Sequence, residues 1–359
     1  MKILMIGGPK FLGRHITTAA LAAGHKITHF NRGNYSGGSD ADLSAAETIV
    51  ETTVETIRGD RYQDLDKLSG YKWDVVVDTC GYLPQNLKAT AGALANSVER
   101  YIFISSISAY SDFSRPGFDE TTPLAALTED QQKRADNIDL SGEITAFKLK
   151  DLYGALKAGS ERAVEEAMPG RALIIRPGLI VGAFDTTDRF TYWAMRTARG
   201  GEVLAPGRPE RFVQLIDARD LSEWVIEMAE RREAGIYNAN GKPFELTMEK
   251  TLAEMKDAGK SDASFVWADE EFLAAENVGA WGEMPLYLPE SDAGSRGFLS
   301  ANIDRALQKG LKFRPLKETI NDTLSWAEAN LNFETLKAGI RAEREAALLE
   351  KMKLRRGPK

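Results

Sequence analysis

The sequence is poor in the residues that build metal and thiol sites. Cys80 is the one cysteine among 359 residues, so neither a disulfide framework nor a cysteine metal site can form within the chain. The three histidines, His15, His25 and His29, all lie near the start of the sequence. A Ser-His-Asp hydrolase or a histidine-rich zinc site would therefore have to be assembled there alone. Both classes are disfavoured, and we predict no metal ion.

Long apolar runs and a basic excess are also missing. No stretch approaches the roughly 18 apolar residues of a membrane span, and the apolar start MKILMIGG is too short for a signal peptide. The net charge of −7 gives no basic field for nucleic acid. We therefore predict a cytoplasmic protein whose partner is a small-molecule substrate, with no nucleic acid and no membrane. A homodimer is an option that the sequence leaves open.

Apolar runs of strand length alternate with segments whose apolar residues recur at helical spacing. The six runs lie at residues 2–6, 26–30, 53–57, 74–78, 100–105 and 172–177. Such a βαβ series is typical of an α/β protein with a Rossmann-type, doubly wound parallel sheet. A further short strand is predicted at GIYNANG, residues 235–241.

The regular alternation fades near residue 180, which predicts a second, smaller lobe. We assign residues 1–180 and 212–245 to a dinucleotide-binding domain, and residues 181–211 and 246–330 to a C-terminal substrate lobe. Residues 331–359 form a charged helical tail, because Glu and Lys/Arg recur there at helical spacing. A solvated helix is favoured for this tail over a contact surface for a partner subunit.

A glycine-rich stretch, GGPKFLG, follows the first strand and leads into the first helix. Such a turn directs backbone N–H groups and the positive helix end toward an anionic ligand, and a pyrophosphate fits that description. Lys10 stands where a middle glycine is expected, so its long side chain must leave the path of the phosphates, toward the adenosine end. The loop residues predicted to bind a dinucleotide are Gly7, Gly8, Lys10, Phe11, Leu12 and Gly13.

The second strand ends in Asn31 and Arg32, without an acidic residue. An acid at this strand end would accept hydrogen bonds from a free ribose 2′-hydroxyl, whereas cations suit a 2′-phosphate. Lys10 and Arg32 together therefore favour NADP as the cofactor, with NAD as the alternative. Asn-Arg-Gly is also good turn chemistry, so a purely structural role for this stretch stays open.

Two further segments carry groups for proton transfer. FISSISAY, residues 103–110, places serines just beyond a predicted strand, and YGALK places Tyr153 and Lys157 one helical turn apart on one face. An ammonium near a phenol favours the phenolate, so Lys157 is predicted to lower the pKa of Tyr153 from its usual value of about 10. Tyr153 would then be a usable acid or base near neutral pH.

In combination, these motifs resemble the extended short-chain dehydrogenase/reductase family, also called the NAD-dependent epimerase/dehydratase family, over residues 1–330. The resemblance implies that Tyr153 is the acid/base and that Lys157 lowers its pKa and holds the nicotinamide ribose. It implies that Ser106, four positions before Tyr110, binds the substrate oxygen. Asp60 in RGDR matches the adenine-contacting aspartate of the family. The remaining predicted cofactor contacts are Arg61, Thr79, Cys80, Gly81 and Pro177.

Departures from the family pattern narrow the function. Ser106 is followed by Ile107 and Ser108 instead of an Asp-Glu pair, which disfavours a 4,6-dehydratase. Leu179 stands where many nucleotide-sugar enzymes of the family carry an asparagine, which weakens a UDP- or GDP-sugar substrate. DTCGY, residues 78–82, replaces the usual fourth-strand ending, so the wall near the nicotinamide is altered.

Three functions follow from this reading. The favoured one is an NAD(P)-dependent reductase that transfers hydride to or from a carbonyl or hydroxyl carbon of a small substrate. The first alternative is an NAD(P)-dependent epimerase of sugars or nucleotide sugars, in which the cofactor stays bound. The second is a non-catalytic NADP-binding regulatory protein, against which the intact set of Ser106, Tyr153 and Lys157 speaks.

Six further residues are candidates for contact with the substrate. Candidates near the catalytic motifs and in the predicted substrate loops are Ser108, Tyr82, Arg189, Trp193, Arg211 and Gln214. For Arg189, Trp193, Arg211 and Gln214, a structural role is at least as good an explanation. The identity of the substrate does not follow from the sequence.

Overall fold

Seven parallel strands form the central sheet, in the order β10-β6-β5-β4-β1-β2-β3. The computed structural model describes residues 1–8, 10–33, 54–140 and 144–356, without the side chains of Phe147 and Arg356. The strands of this sheet are β1 (Lys2–Ile6), β2 (Lys26–Asn31), β3 (Glu55–Arg58), β4 (Trp73–Asp78), β5 (Val98–Ile104), β6 (Ala172–Pro177) and β10 (Gly235–Ala239). The predicted Rossmann-type, doubly wound parallel sheet is confirmed.

Both faces of the sheet are covered by helices. Ile3 and Met5 of β1 contact one apolar cluster, and the alternate residues Leu4 and Ile6 contact another, as the period of two in a strand requires. The flanking helices are α1 (Phe11–Ala22) and α7 (Ala218–Glu230) on the first face, and α2 (Pro84–Leu94) and α5 (Tyr153–Ala167) on the second.

The predicted strands lie within two residues of the observed ones at most ends. The run at 53–57 forms a strand from Glu55 to Arg58, and Thr53 itself lies outside the described residues. The short strand predicted at GIYNANG joins the sheet as its edge strand β10, paired with β6. Because parallel strands end together, the segments after β1, β4, β5 and β6 meet at one edge of the sheet.

A second apolar core lies outside this sheet and draws on residues 179–352. Two pairs of short parallel strands belong to this part of the chain, β7 (Leu179–Val181) with β9 (Leu215–Asp217) and β8 (Glu202–Pro206) with β11 (Ser264–Ala268). Apart from the four helices that flank the sheet, the α-helices in the described part of the chain are α3 (Glu129–Asp136), α4 (Ala146–Leu149), α6 (Arg189–Ala198), α8 (Met248–Gly259), α9 (Glu270–Ala275), α10 (Asp304–Gln308), α11 (Leu316–Asn330) and α12 (Ala342–Arg356). The division into two lobes at the stated boundaries stays a prediction.

The prediction of a solvated helical tail is wrong. The helix α12 begins only at Ala342, after a loop in which Gly339 adopts a φ of +98° that a helix cannot accommodate. Leu348, Leu349 and Met352 are buried in the second core. The apolar face that these three residues form was obscured by the charged residues around them, and the chain itself covers it.

Candidate active site

Ser106 and Tyr153 meet beyond the carboxyl end of β5. Ser106 precedes a single 3-10 turn, and its Oγ accepts a hydrogen bond from the backbone N–H of Ser108 at 3.1 Å. The helix α5 begins at Tyr153, and Gly154 allows it to approach this turn closely, because a Cβ there would overlap the carbonyl oxygen of Ser108. The Ser106 hydroxyl lies beside the Tyr153 phenol and acts to lower its pKa. The two predicted catalytic hydroxyl groups therefore lie in one site.

Lys157 follows Tyr153 by one turn of α5. Its Nζ donates hydrogen bonds to the backbone carbonyls of Gly81 and Ile104, each at 2.8 Å, and lies 6.0 Å from the centre of the Tyr153 ring. Burial of the ammonium lowers the pKa of Lys157 to about 8, although the charge of Asp78 acts in the opposite direction. The site thus contains a desolvated amine that two carbonyls hold close to the phenol.

The pKa of Tyr153 shifts in the direction opposite to the predicted one. Burial raises this pKa, and the hydrogen bond with Ser106 offsets only part of the rise. Lys157 contributes no lowering, because its Nζ is directed to the two carbonyls. The prediction that Lys157 lowers the pKa of Tyr153 is therefore wrong, and the phenol keeps its proton at neutral pH.

A buried ion pair continues the row of site residues along α5. Glu161 follows Lys157 by one further turn, and its carboxylate accepts hydrogen bonds from Nε and Nη2 of Arg176 and from the hydroxyl of Ser105. Both charged side chains are only 1% exposed. Arg176 also donates to the hydroxyl of Tyr110 at 2.9 Å. The ion pair therefore ties α5 and β6 to the segment that carries Ser106.

The glycine-rich loop fits a pyrophosphate. Gly7 has a φ of +116°, and a Cβ there would come within 2.8 Å of the Thr79 hydroxyl oxygen, while a Cβ on Gly13 would overlap the carbonyl oxygen of Gly8. The N-terminus of α1 has no side-chain cap and no acidic residue in its first turn, so no carboxylate of that turn competes with an anion for this positive helix end. Leu12 packs into the core, which leaves only its backbone for the predicted contact.

Replacing Gly13 with Ala is expected to weaken NADP binding at least tenfold, because the added methyl group forces the loop backbone away from α1. Isothermal titration of the purified variant with NADP checks this expectation. Gly92→Ala on α2 is the matched control, since a Cβ there meets no other atom within 4 Å. Equal dissociation constants for Gly13→Ala and wild type would show that the loop does not bind the cofactor.

The segments predicted to meet the adenosine lie side by side. The backbone N–H of Gly59, directly before Asp60, donates to the carbonyl of Asn31 at 2.9 Å. Asn31 accepts the N–H of Gly33 through its Oδ1, whereas its buried Nδ2 has no hydrogen-bond partner among the residues that the structure describes. This donor and the exposed side chain of Arg32 stand at the end of β2. The arrangement fits polar and anionic groups of an adenosine ribose.

Arg61 does not present its charge to this site. Its guanidinium forms two hydrogen bonds with the carboxylate of Asp78, at 3.0 and 2.8 Å, and a third with the Thr90 hydroxyl. Asp78, which is fully buried, also accepts a hydrogen bond from the hydroxyl of Tyr101. The prediction of a cofactor contact through the Arg61 side chain is therefore wrong, because this side chain neutralises a buried carboxylate at the end of β4.

The segment after β4 lies beside the glycine-rich loop and contacts Lys157. The backbone N–H of Thr79 donates to the carbonyl of Ile6, which places it beside the glycine-rich loop. Cys80 follows, and burial raises the pKa of its thiol, so it is a poor nucleophile. Gly81 accepts the hydrogen bond from Lys157, and Pro177 lies buried at the end of β6. Contacts of these residues with a cofactor stay predictions.

The predicted substrate residues separate into two groups. Tyr82 lies in the site, with its ring centre 6.3 Å from that of Tyr153 and 4.9 Å from Nζ of Lys157, and Ser108 lies in the turn after Ser106. Trp193 is fully buried and donates to the carbonyl of Pro285, and Gln214 uses its amide for four hydrogen bonds within the chain. The prediction that the side chains of Trp193 and Gln214 contact the substrate is therefore wrong.

Arg189 and Arg211 belong to neither group. Arg211 is buried, donates to the carbonyl of Leu286 at 2.9 Å and lies over the ring of Tyr287. Arg189 lies at the start of α6 over the ring of Trp281. Substrate contacts of both arginines stay predictions.

Sequence reasoning missed Gly154, Asp78 and the ion pair of Glu161 with Arg176. The glycine after Tyr153 was visible in YGALK, and an unexplained glycine in a helix is a signal of close packing. Glu161 continues the four-residue spacing of Tyr153 and Lys157, which would have placed it on the same face. The partners of Asp78 and Glu161 come from distant segments, and no local pattern identifies them.

The described residues contain neither a cluster of metal-ligating side chains nor a helix suited to cross a membrane. No group of three or more His, Cys, Asp or Glu side chains there is placed to hold a metal ion. None of the helices described there combines the length and the apolar character needed to cross a membrane.

Comparison with known proteins agrees with this geometry. One curated protein, the chloroplast stem-loop binding protein of 41 kDa b of Arabidopsis thaliana, is 31% identical over 119 residues, which span 30% of each chain. The fold is similar to that of UDP-glucuronic acid 4-epimerase from Bacillus cereus in complex with NAD, with 15% identity, 92% and 100% coverage and a TM-score of 0.63. It is also similar to UDP-glucose 4-epimerase from Bifidobacterium longum in complex with NAD⁺ and UDP, with 16% identity, 92% and 99% coverage and a TM-score of 0.60.

The family assignment follows from the sequence match that covers the sheet and the site together. The model of the NAD dependent epimerase/dehydratase family matches residues 3–239, about two thirds of the chain. This range includes the glycine-rich loop, Ser106, Tyr153 and Lys157. The chain belongs to the NAD dependent epimerase/dehydratase family.

Proposed function

We propose that this enzyme transfers a hydride between NADP and a carbonyl or hydroxyl carbon of a small substrate, with Tyr153 as the acid/base. The observation that carries the proposal is the placement of the Ser106 hydroxyl beside the Tyr153 phenol, next to the buried ammonium of Lys157. This arrangement offers a proton and a second hydroxyl group to one substrate oxygen. The bound cofactor supplies or accepts the hydride.

The chain's own groups account for the movement of the proton. In reduction, Tyr153 donates its phenolic proton to the carbonyl oxygen, while Ser106 donates a hydrogen bond to the same atom. The ammonium of Lys157 lies 6.0 Å from the centre of the Tyr153 ring, where the carbonyls of Gly81 and Ile104 hold it. Because burial raises the pKa of Tyr153, the resting phenol is protonated, and this state suits reduction.

The local sequence argues against dehydration. Ile107, next to Ser106, is buried and apolar, so this position offers no carboxyl group for elimination of water. Leu179 is likewise buried in the second core and offers no amide to a nucleotide diphosphate. A reductase of a small carbonyl compound is therefore favoured over a nucleotide-sugar enzyme.

Epimerisation is the second candidate, because the family description includes it and the structural relatives named above are UDP-sugar 4-epimerases. Incubation of the enzyme with a panel of carbonyl compounds and free or nucleotide-linked sugars, with NADPH in one series and with NADP⁺ or NAD⁺ in a second, separates the two. A reductase forms an alcohol and an equal amount of NADP⁺, whereas an epimerase forms an epimer without net consumption of cofactor. A panel in which neither product forms would contradict both proposals.

The preference for NADP is proposed from Lys10 and Arg32. A charge-assisted hydrogen bond contributes about 1.5–3 kcal/mol, so Lys10→Gly combined with Arg32→Ala is expected to weaken NADP binding by at least tenfold and NAD binding much less. Dissociation constants for both cofactors check this. Lys26→Gln, at the opposite end of β2, is the control. Equal or tighter binding of NAD by wild type, or an unchanged preference in the double variant, would overturn the assignment.

A further inference from the structure

The guanidinium of Arg189 is partly shielded from solvent and has no hydrogen-bond acceptor among the described residues. Arg189 is the first residue of α6 and is only partly exposed, yet its guanidinium has no hydrogen bond or ion pair with any residue in the described part of the chain. Arg196 on the same helix, by comparison, donates to the carboxylate of Glu345 and to the carbonyls of Gly200 and Glu202. A partly buried guanidinium whose donors have no protein acceptor is costly unless water or a ligand supplies the acceptors.

The guanidinium lies against a fixed aromatic surface. Its central carbon is 5.3 Å from the ring centre of Trp281. Trp281 has a left-handed backbone, with a φ of +62°, and its N–H donates to the carbonyls of Met284 and Tyr287. Strained backbone held by such bonds is frequent at ligand sites. An arginine stacked in this way is restrained in orientation, which suits two parallel hydrogen bonds to an oxyanion.

A row of aromatic rings connects Trp281 with the catalytic segment. The ring of Trp281 packs edge-on against Phe298 at 5.6 Å, and Phe298 packs against Phe113 at 5.0 Å. Phe113 follows closely on the turn that begins at Ser106, and it shares Phe118 as a neighbour with Tyr110. The rings of Phe113, Phe298 and Trp281 thus form a continuous row from the segment after Ser106 to Arg189.

The nearby carboxylates have other partners. Asp185 accepts hydrogen bonds from the N–H and the hydroxyl of Thr187, at 2.8 and 2.9 Å. Asp188 accepts the backbone N–H of Lys337 at 2.9 Å. Burial raises the pKa of Asp185 to about 6, which weakens its negative charge in mildly acidic solution. The charge of Asp185 attracts the guanidinium of Arg189, but neither carboxylate forms a hydrogen bond with it.

We propose that Arg189, supported by Trp281, binds an anionic oxyacid group of the substrate, either a carboxylate or a phosphate. This inference rests on the proposed function, since it assumes that the group being bound belongs to the molecule reduced at Tyr153. It narrows the substrate to a carbonyl compound with a negative charge at a distance from the reacting carbon.

Tryptophan fluorescence of the enzyme saturated with NADP⁺ tests the proposal, because bound cofactor already fills the pyrophosphate loop. The probes are inorganic phosphate, acetate and neutral acetamide, at constant ionic strength in chloride. We expect a saturable change with phosphate or acetate and none with acetamide. Arg189→Gln should weaken binding at least tenfold, Arg189→Lys less, and Trp281→Phe should remove the signal. Arg199→Gln, which breaks an exposed ion pair with Glu334 at the other end of α6, should behave like wild type.

The outcomes distinguish the two oxyanions and the two proposals. A response to phosphate alone indicates a phosphorylated substrate, and a response to acetate alone indicates a carboxylic acid. No saturable response to either anion, or equal affinity in Arg189→Gln and wild type, overturns the proposal. Arg189→Lys keeps the charge and covers the case in which Arg189→Gln fails to fold. Tyr153→Phe should bind the anion normally, so failure of the hydride-transfer proposal would leave this result unchanged.

Discussion

Tyr153→Phe is expected to lower turnover by about 10²–10⁴-fold, while the dissociation constant of the cofactor changes only a few-fold. The substitution removes the phenolic hydroxyl beside Ser106 and leaves the ring in place next to Tyr82 and Lys157. Steady-state rates and cofactor titrations on one preparation check both parts of the expectation.

The matched control for this variant is Tyr71→Phe, because Tyr71 is exposed and stacks on Trp73 at the start of β4, away from the site. It should keep the activity of wild type. Near-full activity in Tyr153→Phe would mean that another group moves the proton, and the assigned role of Tyr153 would then be wrong.

Glu161→Leu is expected to lower the free energy of unfolding by about 3–5 kcal/mol, because it leaves the charge of Arg176 buried without its partner. Both side chains are 1% exposed in the structure, so water cannot replace the lost carboxylate. Chemical denaturation at neutral pH, followed by circular dichroism, measures the change.

The double variant Glu161→Leu with Arg176→Leu should recover part of this loss, since no buried charge remains in it. Glu166→Gln, on the exposed side of α5, is the control and should stay within about 0.5 kcal/mol of wild type. A loss below about 1 kcal/mol in Glu161→Leu would show that the ion pair does not stabilise the junction of α5, β6 and the Ser106 segment.

The features that the sequence predicted depend on local periodicity. The strands of the sheet are short apolar runs between helical segments, and β1 needs only the alternation of Ile3 and Met5 with Leu4 and Ile6 to be placed inside a covered sheet. Tyr153 and Lys157 share a helix face because they are four residues apart. Their approach to Ser106 follows from the position of both segments at one edge of the sheet.

The features that the sequence did not predict depend on contacts between distant segments. The direction of the Tyr153 pKa is set by burial, which no spacing within YGALK reveals. Arg61 looked like a cofactor residue beside Asp60, and only the folded chain pairs it with Asp78. Trp193 and Gln214 were plausible in a substrate loop, yet packing of the second core encloses both.

Transfer of deuterium from the cofactor to the substrate tests the central claim most directly. The enzyme is incubated with NADPH deuterated at C4 of the nicotinamide, on either face, and with the panel of carbonyl compounds, and the products are analysed by mass spectrometry. We predict an alcohol that carries the deuterium on its carbinol carbon in the wild type, and at least 100-fold less of it in Tyr153→Phe. Absence of labelled product throughout the panel, or equal labelling in wild type and Tyr153→Phe, would contradict the account.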